Sequence, residues 1–526
     1  MERTVRLFGP SLAIAVLLVF APTVAGTRGL PLPTASAHSP ILIEGDGNFT
    51  AANGVTGGSG TNATPFIMSG WSIQANSGGI GIEIRNTTAP FVIQGIDVGA
   101  ATGQNGLIGI LLHNVTDAGI DRVHVSNVFV ALREEGSSRL IVSNSTFDVG
   151  ESFNSGVAVV LFGPPNLPSQ DLLIVDSTIR AGLDGINTQN VSRLTIERCA
   201  FFVPYVDAIN LWTDEDVTLR ANQFVVETTG VAVVDSTRVR LEDNRIGGGN
   251  HTASVGIYVE ASSDVVLVRN EIQNMFRAGI SFSTDSRFPG QFNPGFHAYH
   301  NTFLAGGSQI DFAPTDSIWD DGYPSGGNYW ANYGGSDQCR GPAQDDCSNR
   351  DGIGDTAHVW YTQLTTVADR YPLVRPFPLP TSSPIARIAV TATVGEIDTS
   401  FVFNASMSSD LRDPVSLLQF RWDWEGDGSW DTNWSSDPVR PHVFGVSGAH
   451  GVRLQVRNTA GLMNATTVDV HVSSPSFSRI LGSVWPIFPV VAGVTLLGIG
   501  LHRWSRKPPP ALPQGKTEEP PPGSAP

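Results

Sequence analysis

The sequence predicts an all-β protein: a right-handed parallel β-helix, then an Ig-like β-sandwich, then one transmembrane helix. Three observations predict this order. A short pattern of alternating apolar residues, an Asn or small polar residue, and then Phe or Ile recurs about every 22 residues from about 80 to 312. Longer alternating segments from about 384 to 473 are typical of a sandwich. The segment from Ile480 to Leu501 has no charge and is long enough to cross ~30 Å of hydrocarbon.

The expected segments are a signal peptide at 1–25, an N-terminal cap with the start of the β-helix at 26–79, the parallel β-helix at 80–318, an acidic terminal module at 319–377, a linker at 378–383, the β-sandwich at 384–473, the transmembrane helix at 480–502 and a Pro-rich tail at 503–526. A signal peptide is indicated by Arg3 and Arg6 ahead of the apolar run from Leu12 to Ala21, which is too short for a lasting span. Cleavage could follow Ala25 or Ala37, because small residues precede both positions.

The repeat predicts coils built from short strands. Apolar positions lie two apart and are often β-branched, which favours strands over helices. Asn at a repeated turn tolerates left-handed backbone and can form amide ladders between coils. If each coil is anchored two positions before its Phe or Ile, the anchors are Asn127, Ser145, Ser177, Cys199, Asn222, Asn244, Asn270 and Asn301. A second strand is expected to stack the apolar residues Ile186, Ile209, Val231, Ile257 and Ile280 in one buried column.

This repeat resembles the right-handed parallel β-helix family that includes NosD-type periplasmic proteins and carbohydrate-active enzymes. The segment from Trp319 to Trp330, with Asp351–Asp355 and Asp369–Leu373, resembles the terminal module of β-helix surface proteins found widely in archaea. NosD relatives are linked to copper. The chain has 5 Met and 3 Cys without clustered soft ligands, so no copper site is predicted.

The sandwich segment resembles the PKD (polycystic kidney disease) domain. The resemblance rests on Asn404–Asp410, Trp422–Gly428 and Gly448–Leu454. It implies a spacer or adhesion module, which here would be a stalk that raises the β-helix from the membrane. The Pro-rich linker before it is expected to be stiff.

Charge predicts where the chain resides. Arg503, Arg506 and Lys507 follow the hydrophobic segment, so the positive-inside bias places the tail in the cytoplasm and the bulk outside a cell membrane that the chain spans once. The formal net charge of −17 disfavours nucleic acid as a partner. Sequons that could carry glycans begin at Asn48, Asn62, Asn86, Asn114, Asn144, Asn190, Asn250, Asn404, Asn433 and Asn464.

Two functions remain open from the sequence. The first is a surface protein that binds extracellular polysaccharide or surface proteins, or that acts as an adhesion or cell-envelope element. The second is a polysaccharide lyase, hydrolase or epimerase with Asp184 and Asp207 as catalytic carboxylates. These residues lie one coil apart and would stack about 5 Å apart, as in retaining glycosidases. We favour the first, because a polar turn ladder facing solvent also explains the pair and Thr229 follows in the next coil.

Two oxygen-rich loops are candidate Ca²⁺ sites, with solvated acidic turns as the alternative. The first contains Asp337, Asp345, Asp346, Asn349, Asp351 and Asp355, and the second contains Asp423, Glu425, Asp427 and Asp431. In an exported chain, a disulfide between Cys339 and Cys347 is expected to close the first loop. Cys199 is expected to be a small buried thiol.

Overall fold

The computed structural model describes residues 35–75, 79–100, 107–149, 156–203, 205–248, 254–283, 293–304, 306–361 and 366–474. They form a parallel β-solenoid with a terminal module, followed by a β-sandwich. Within these ranges, no helix has the length and apolar character needed to cross a membrane. The predicted signal peptide, hydrophobic span and tail lie outside the described residues.

Each coil runs through three parallel sheets, here named B, C and A in the order in which the chain meets them. Sheet A has the strands Ser36–His38, Trp71–Ala75, Asp97–Ala100, His124–Ser126, Thr146–Asp148, Thr178–Arg180, Ala200–Val203, Gln223–Val226, Arg245–Gly248, Glu271–Gln273, Thr302–Phe303 and Tyr329–Trp330.

Sheets B and C are joined by one long strand, Ile108–Asp121, which bends from the first into the second. The other strands of sheet B are Ile41–Glu44, Ile80–Thr87, Val130–Glu135, Val157–Phe162, Ile186–Gln189, Asp207–Trp212, Thr229–Val234, Val255–Glu260, Ala278–Ser283 and Ser308–Asp311. Those of sheet C are Val55–Gly57, Phe66–Ser69, Phe91–Gln94, Ser138–Ser143, Ser169–Val175, Val191–Glu197, Glu215–Arg220, Thr237–Glu242, Ser263–Val268 and His297–Tyr299. The short helices Asp46–Asn48 and Ala51–Asn53 lie in the first coils.

The predicted apolar column is confirmed. Successive strands of sheet B pair Ile186, Ile209, Val231, Ile257 and Ile280 in one row, and all five are fully buried. Side chains two apart in a strand share a face, so alternation in the sequence fills the interior of every coil.

A polar ladder runs along the corner between sheets C and A. At each coil a backbone N–H donates to a side-chain oxygen of the next coil at 2.9 to 3.2 Å, in the order Val123 to Ser145, Ser145 to Ser177, Cys199 to Asn222, Asn222 to Asn244, Asn244 to Asn270, Asn270 to Asn301 and Asn301 to Asn328. These buried groups satisfy one another, which removes the cost of unpaired buried amides.

One predicted anchor was wrong. The ladder position of its coil is Val123, whereas Asn127 follows the strand His124–Ser126 of sheet A. Asn127 has a φ of 57°, so it occupies a left-handed turn at a different corner of the coil. Asn adopts this conformation readily at any corner, and the local pattern could not tell one from another.

Acid and arginine alternate along a surface column at the start of sheet C. Arg139 binds Asp117, Arg193 binds Asp171 and Arg238 binds Asp216, each through both Nε and a terminal nitrogen. An exposed ion pair contributes at most ~1 kcal/mol to stability. If the stacking skipped one coil, however, acid would lie beside acid and arginine beside arginine. The column therefore favours the native register, and the bidentate geometry requires arginine.

The terminal module covers the last coil. It contains the antiparallel hairpin of His358–Tyr361 and Thr366–Asp369. The carboxylate of Asp369 ends the Asn ladder: Oδ2 accepts the N–H of Asn328 at 2.6 Å and Nε1 of Trp330 at 2.8 Å, and Oδ1 accepts the N–H of Tyr371 at 3.1 Å. The module thus supplies the acceptor that the next coil would have provided.

The sandwich has the two-sheet form predicted for it. One sheet contains Ala389–Val390, Ser400–Asn404 and Val439–Val443, and the other contains Val394–Glu396, Met463–Ser473, Gly448–Arg457 and Gln419–Asp423. The short helix Val415–Leu417 precedes the last of these strands. A separate core that includes Phe403, Trp422 and Leu454 fills the space between the sheets.

The sandwich contacts the β-helix. Nε of Arg387 donates to Oγ1 of Thr178 in sheet A at 2.6 Å, and its Nη2 donates to the carbonyl of Asp176. Nη1 of Arg245 donates to the carbonyl of Arg412 at 3.2 Å. The sandwich therefore lies against sheet A.

Candidate functional site

The predicted carboxylates lie where two neighbouring strands of sheet B begin. Asp184 is in the turn before Ile186–Gln189, and Asp207 is the first residue of Asp207–Trp212. The parallel register stacks the two residues one coil apart. The N–H of Asp207 donates to Oδ1 of Asp184 at 3.3 Å.

Asp184 does not face solvent, so the interpretation of the pair as a turn ladder with side chains facing solvent was wrong at this residue. Asp184 is only 7% exposed, and Asp207 is partly buried. Asp207 lies two positions before the inward-facing Ile209 and therefore shares its face. The next residues in its row are Thr229 and Val255, so the pair occupies a column that is otherwise largely apolar.

Burial raises the pKa of both acids. The pKa of Asp207 rises to about 6, first because of burial and then because of the charge of Asp184. Burial also raises the pKa of Asp184, against hydrogen bonds from the N–H of Asp207 and from Nδ2 of Asn187 at 3.4 Å. Two neighbouring carboxyl groups with raised pKa values can supply an acid and a base. However, both oxygens of Asp184 already accept protein donors.

The outer face of the same two strands carries a second arrangement, here called the amide–tryptophan row. Its members are Asn187, Gln189, Asn210 and Trp212, which point away from the core because side chains alternate along a strand. The register pairs Asn187 with Asn210 and Gln189 with Trp212. Trp212 is 43% exposed. The row therefore offers a flat indole beside three amides.

The same face becomes polar again two coils further on. Trp212 pairs with Val234, which pairs with Glu260, and Tyr258 lies beside Glu260 on that strand. Oη of Tyr258 donates to Oε2 of Glu260 at 2.5 Å. Burial, followed by this hydrogen bond, raises the pKa of Tyr258 to about 12. The outer face of sheet B thus combines aromatic rings with hydrogen-bonding groups over several coils.

Two other buried acids hold the corner between sheets B and C. Asp214 accepts the N–H of Val191 at 2.8 Å and that of Trp212 at 3.0 Å, and burial raises its pKa to about 6. Glu134 accepts the N–H of Ser137 at 2.5 Å and the hydroxyl of Ser169 at 2.9 Å, and burial raises its pKa to about 7. Both stabilise turns beneath the surface.

The first oxygen-rich loop is closed by the disulfide between Cys339 and Cys347. Its carboxylates accept the loop's own donors. Asp337 accepts the N–H groups of Asp351 and Gly352 at 3.3 and 3.1 Å, and Asp355 accepts the N–H of Cys339 at 2.9 Å. Among the described residues, no three carboxylates of this loop lie close enough to share an ion. The metal site of this loop stays a prediction, and so does the role of Asp345, Asp346 and Asn349 as metal ligands.

In the second loop, carboxylate oxygens of Asp423, Glu425 and Asp431 lie within 4.8 Å of one another. Asp427 is not part of this group, and its Oδ1 accepts the N–H of Ser429 at 2.7 Å. Burial and the charge of Asp431 raise the pKa of Glu425. A hard cation would relieve this repulsion, so Ca²⁺ binding in this loop stays a prediction.

Most described sequons lie on the surface, and Asn250 is outside the described residues. Asn86, Asn114, Asn144 and Asn190 adopt positive φ at coil corners, and their amide nitrogens donate to acceptors of the preceding coil. These four therefore have a structural role in turns. Asn404 is partly buried, and the remaining asparagines, Asn48, Asn62, Asn433 and Asn464, are exposed.

The sequence reasoning missed the amide–tryptophan row and the capping role of Asp369. The row could have been found from the sequence, because the offset of 23 residues between these two coils places Gln189 beside Trp212. Asp369 had none, since its partner Asn328 lies 41 residues earlier in an irregular segment. Cys199 is buried as predicted, and burial raises its thiol pKa to about 12.

Three family models match parts of the chain. They are periplasmic copper-binding protein (NosD) over residues 165–335, right handed beta helix region over 53–224, and PKD domain over 386–472. These matches confirm the predicted β-helix and PKD resemblances. No curated protein sequence matches the chain.

The described residues within the NosD match do not fit a copper site. Within the described part of the NosD match, no three His, Cys, Asp or Glu side chains are grouped to hold a metal. Cys199 and Met275 are buried in the core, and the ring nitrogens of His297 and His300 contact the carbonyls of Asp320 and Ser325.

Several solved structures are similar to parts of the chain at low identity. A periplasmic alginate epimerase, AlgG, is 10% identical, with a TM-score of 0.34 over 48% of this chain and 76% of its own. Tailspike protein 2 from the Escherichia coli O157:H7 bacteriophage CAB120 is 10% identical, with a TM-score of 0.36 over 83% and 58%. A structure of carbohydrate-binding modules from the beta-sandwich superfamily is 23% identical, with a TM-score of 0.17. The match covers 18% of this chain and 37% of that one. Similarities at this level do not establish a shared substrate.

Proposed function

We propose that this chain is a surface protein that binds extracellular glycans on the outer face of sheet B. The amide–tryptophan row carries the proposal. Trp212 exposes 43% of its surface on a flat strand, beside Gln189 and Asn210. An apolar ring face next to fixed donors and acceptors matches a sugar, which has an apolar C–H face and a rim of hydroxyls.

The location of the protein is part of the same proposal. The hydrophobic segment 480–502 would anchor the chain in a membrane, with the solenoid outside the cell. Protease added to intact cells should then remove the solenoid and the sandwich, whereas a protected solenoid would contradict this orientation.

The glycan-binding test compares Trp212→Ala with the unmodified full chain on a glycan array, followed by calorimetric titration of the strongest hits. Loss of the indole should weaken binding at least about tenfold, or ~1.4 kcal/mol. Tyr205→Ala is the matched control, since Tyr205 is an aromatic side chain that is 50% exposed in a loop outside the row. Equal binding by all three proteins would refute the proposed surface.

The second candidate is a carbohydrate-active enzyme that uses Asp184 and Asp207. The raised pKa of both acids favours it, because a carboxyl group with a pKa of about 6, as at Asp207, can act as a general acid near that pH. The enzyme function would be established if the unmodified chain forms product from a bound polysaccharide and neither Asp184→Asn nor Asp207→Asn does. Binding without turnover by the unmodified chain would leave the glycan-binding function alone.

A further inference from the structure

Arginine and tryptophan alternate along the outer face of the sandwich. We call this set the Arg–Trp stack; its order is Arg453, Trp430, Arg421, Trp434 and Arg457. The guanidinium carbon of Arg421 lies 4.3 Å from the centre of the Trp430 ring and 4.5 Å from that of Trp434. Arg453 lies 5.2 Å from the Trp430 ring, and Arg457 lies 4.3 Å from the Trp434 ring.

The strand pattern explains why these arginines share one face. In Gln419–Asp423, Phe420 and Trp422 point into the core, so Arg421 points outward. The antiparallel neighbour Gly448–Arg457 places Gln455 opposite Arg421. Alternation along that neighbour puts Arg453 and Arg457 on the same side as Gln455.

Glutamines hold the arginines in place without neutralising them. Oε1 of Gln455 accepts Nε and Nη2 of Arg421 at 2.8 and 2.5 Å. Oε1 of Gln419 accepts Nε of Arg457 at 3.1 Å. A glutamate at either position would have the same reach and would cancel the charge. Each glutamine therefore fixes a guanidinium while preserving its positive charge.

The three charges are unpaired within the described part of the chain. Elsewhere in that part many arginines bind carboxylates, as Arg139, Arg193 and Arg238 do, but no ion pair is formed by Arg421, Arg453 or Arg457. Burial and then the charges of Arg457 and Arg453 lower the pKa of Arg421. In a protein with a net charge of −17, this face therefore brings together three arginines that form no ion pair within the described residues.

We propose that the Arg–Trp stack binds an anionic glycan, a polysaccharide that carries carboxylate or sulfate groups. Guanidinium groups recognise planar or tetrahedral oxyanions through their N–H donors. Because Gln455 and Gln419 accept from the Nε and Nη2 edges of Arg421 and Arg457, these two arginines would bind through their remaining terminal N–H groups. In the stack, each pair of neighbouring guanidiniums is separated by an indole ring. This wide spacing suits a polymer with its charges spread over successive sugar units.

Two other classes of polyanion fit the face less well. Duplex DNA carries one charge per ~1.7 Å and is bound through many cationic contacts, whereas the stack supplies three widely spaced cations. Single-stranded nucleic acid stacks on free aromatic faces, but each of Trp430 and Trp434 already has two guanidinium groups within 5.2 Å of its ring centre. These charged neighbours also disfavour insertion of the indoles into the apolar part of a lipid surface.

The test uses the full chain and two probes, polygalacturonate as a carboxylated glycan and heparin as a sulfated one, with dextran as the neutral comparison. The charge variant is Arg453→Gln with Arg457→Gln, which leaves the central Arg421 in place. The matched control is Arg440→Gln, which removes one charge from the same domain where Asp437 already pairs with it. Melting temperatures check that all variants are folded.

The unmodified chain should bind at least one acidic glycan and not dextran, with affinity that falls as salt rises. The charge variant should bind at least about tenfold more weakly, the control should match the unmodified chain, and Arg453→Lys with Arg457→Lys should recover part of the affinity. Trp212→Ala should leave this binding intact, which separates the stack from the glycan surface of sheet B. No binding of either acidic glycan, or equal losses in the charge variant and the control, would overturn the proposal. Preferential binding to DNA or to phosphatidylserine vesicles that depends on Arg453 and Arg457 would also overturn it.

Discussion

Replacing Asp369 with alanine tests whether the terminal module caps the Asn ladder. The side chain is fully buried and accepts three N–H donors, from Asn328, Trp330 and Tyr371, at 2.6, 2.8 and 3.1 Å. In Asp369→Ala these donors lose their partner in the interior. An unsatisfied buried donor costs about 1–3 kcal/mol. Because the three share one acceptor and their costs are not independent, we expect a total loss of roughly 3–5 kcal/mol in the free energy of unfolding.

The same variant should change the pH dependence in a defined direction. Burial raises the pKa of Asp369 to about 7, whereas the unfolded chain has the ordinary value of about 3.9. Between these values the folded state holds a proton that the unfolded state has released. The stability that Asp369 contributes is therefore present at low pH and falls as pH rises through 7. We expect the loss in Asp369→Ala to be about 2–3 kcal/mol larger at pH 5 than at pH 8.

Urea unfolding of the full chain, followed by tryptophan fluorescence at both pH values, measures the loss. Hydrogen exchange at the amides of Asn328 and Tyr371 shows whether it begins at the capped end. Asp316→Ala is the control, because Asp316 is an exposed acid in a nearby turn. Asp369→Asn, which keeps one carbonyl oxygen, should lose less than the alanine variant. A transition midpoint of Asp369→Ala that matches that of Asp316→Ala, with the Asn328 amide still protected, would refute the capping argument.

Three further predictions concern the solenoid and the acidic loops. Ile209→Asp should lower the free energy of unfolding by several kcal/mol, since it places an unpaired charge in a fully buried column; thermal melting close to that of the unmodified chain would argue against the register. Because the pKa of Asp207 is raised to about 6, its contribution to stability should fall by about 2 kcal/mol as pH rises from 4 to 6, and unfolding curves of Asp207→Asn should lack this part of the pH dependence. Millimolar Ca²⁺ should raise the melting temperature, and comparing Asp423→Ala with Asp351→Ala by calorimetry identifies the responsible loop; no shift in the unmodified chain would remove calcium from consideration.

Several features of the fold could be predicted because they depend on local periodicity. The column that contains Ile186 and Ile209 followed from the period of two within a strand and the step of about 22 residues between coils. The sandwich followed in the same way from the alternation in Val452–Val456. Such patterns specify which side chains must leave water, and that requirement holds whichever segment becomes the neighbour.

Sites that depend on how distant segments meet could not be derived in this way. The burial of Asp184 and Asp207 depends on how the turn before each strand bends toward the core. The sequence around these residues does not specify that bend. The first acidic loop shows the same limit of sequence-based prediction. Its composition suggested metal ligands, but in the structure Asp337 and Asp355 accept hydrogen bonds from backbone N–H groups.

The sequence by itself therefore determined the architecture of this protein: a stack of parallel coils followed by a sandwich, each with its core residues assigned by period. Only the tertiary structure decided which surface groups act together. Gln189 meets Trp212 across one coil, Asp369 meets Asn328 across 41 residues, and Arg421 lies between two indoles from a loop. The physical reason is that burial of apolar groups is a property of each side chain, whereas a site requires specific distances between side chains that only the register and the loops set.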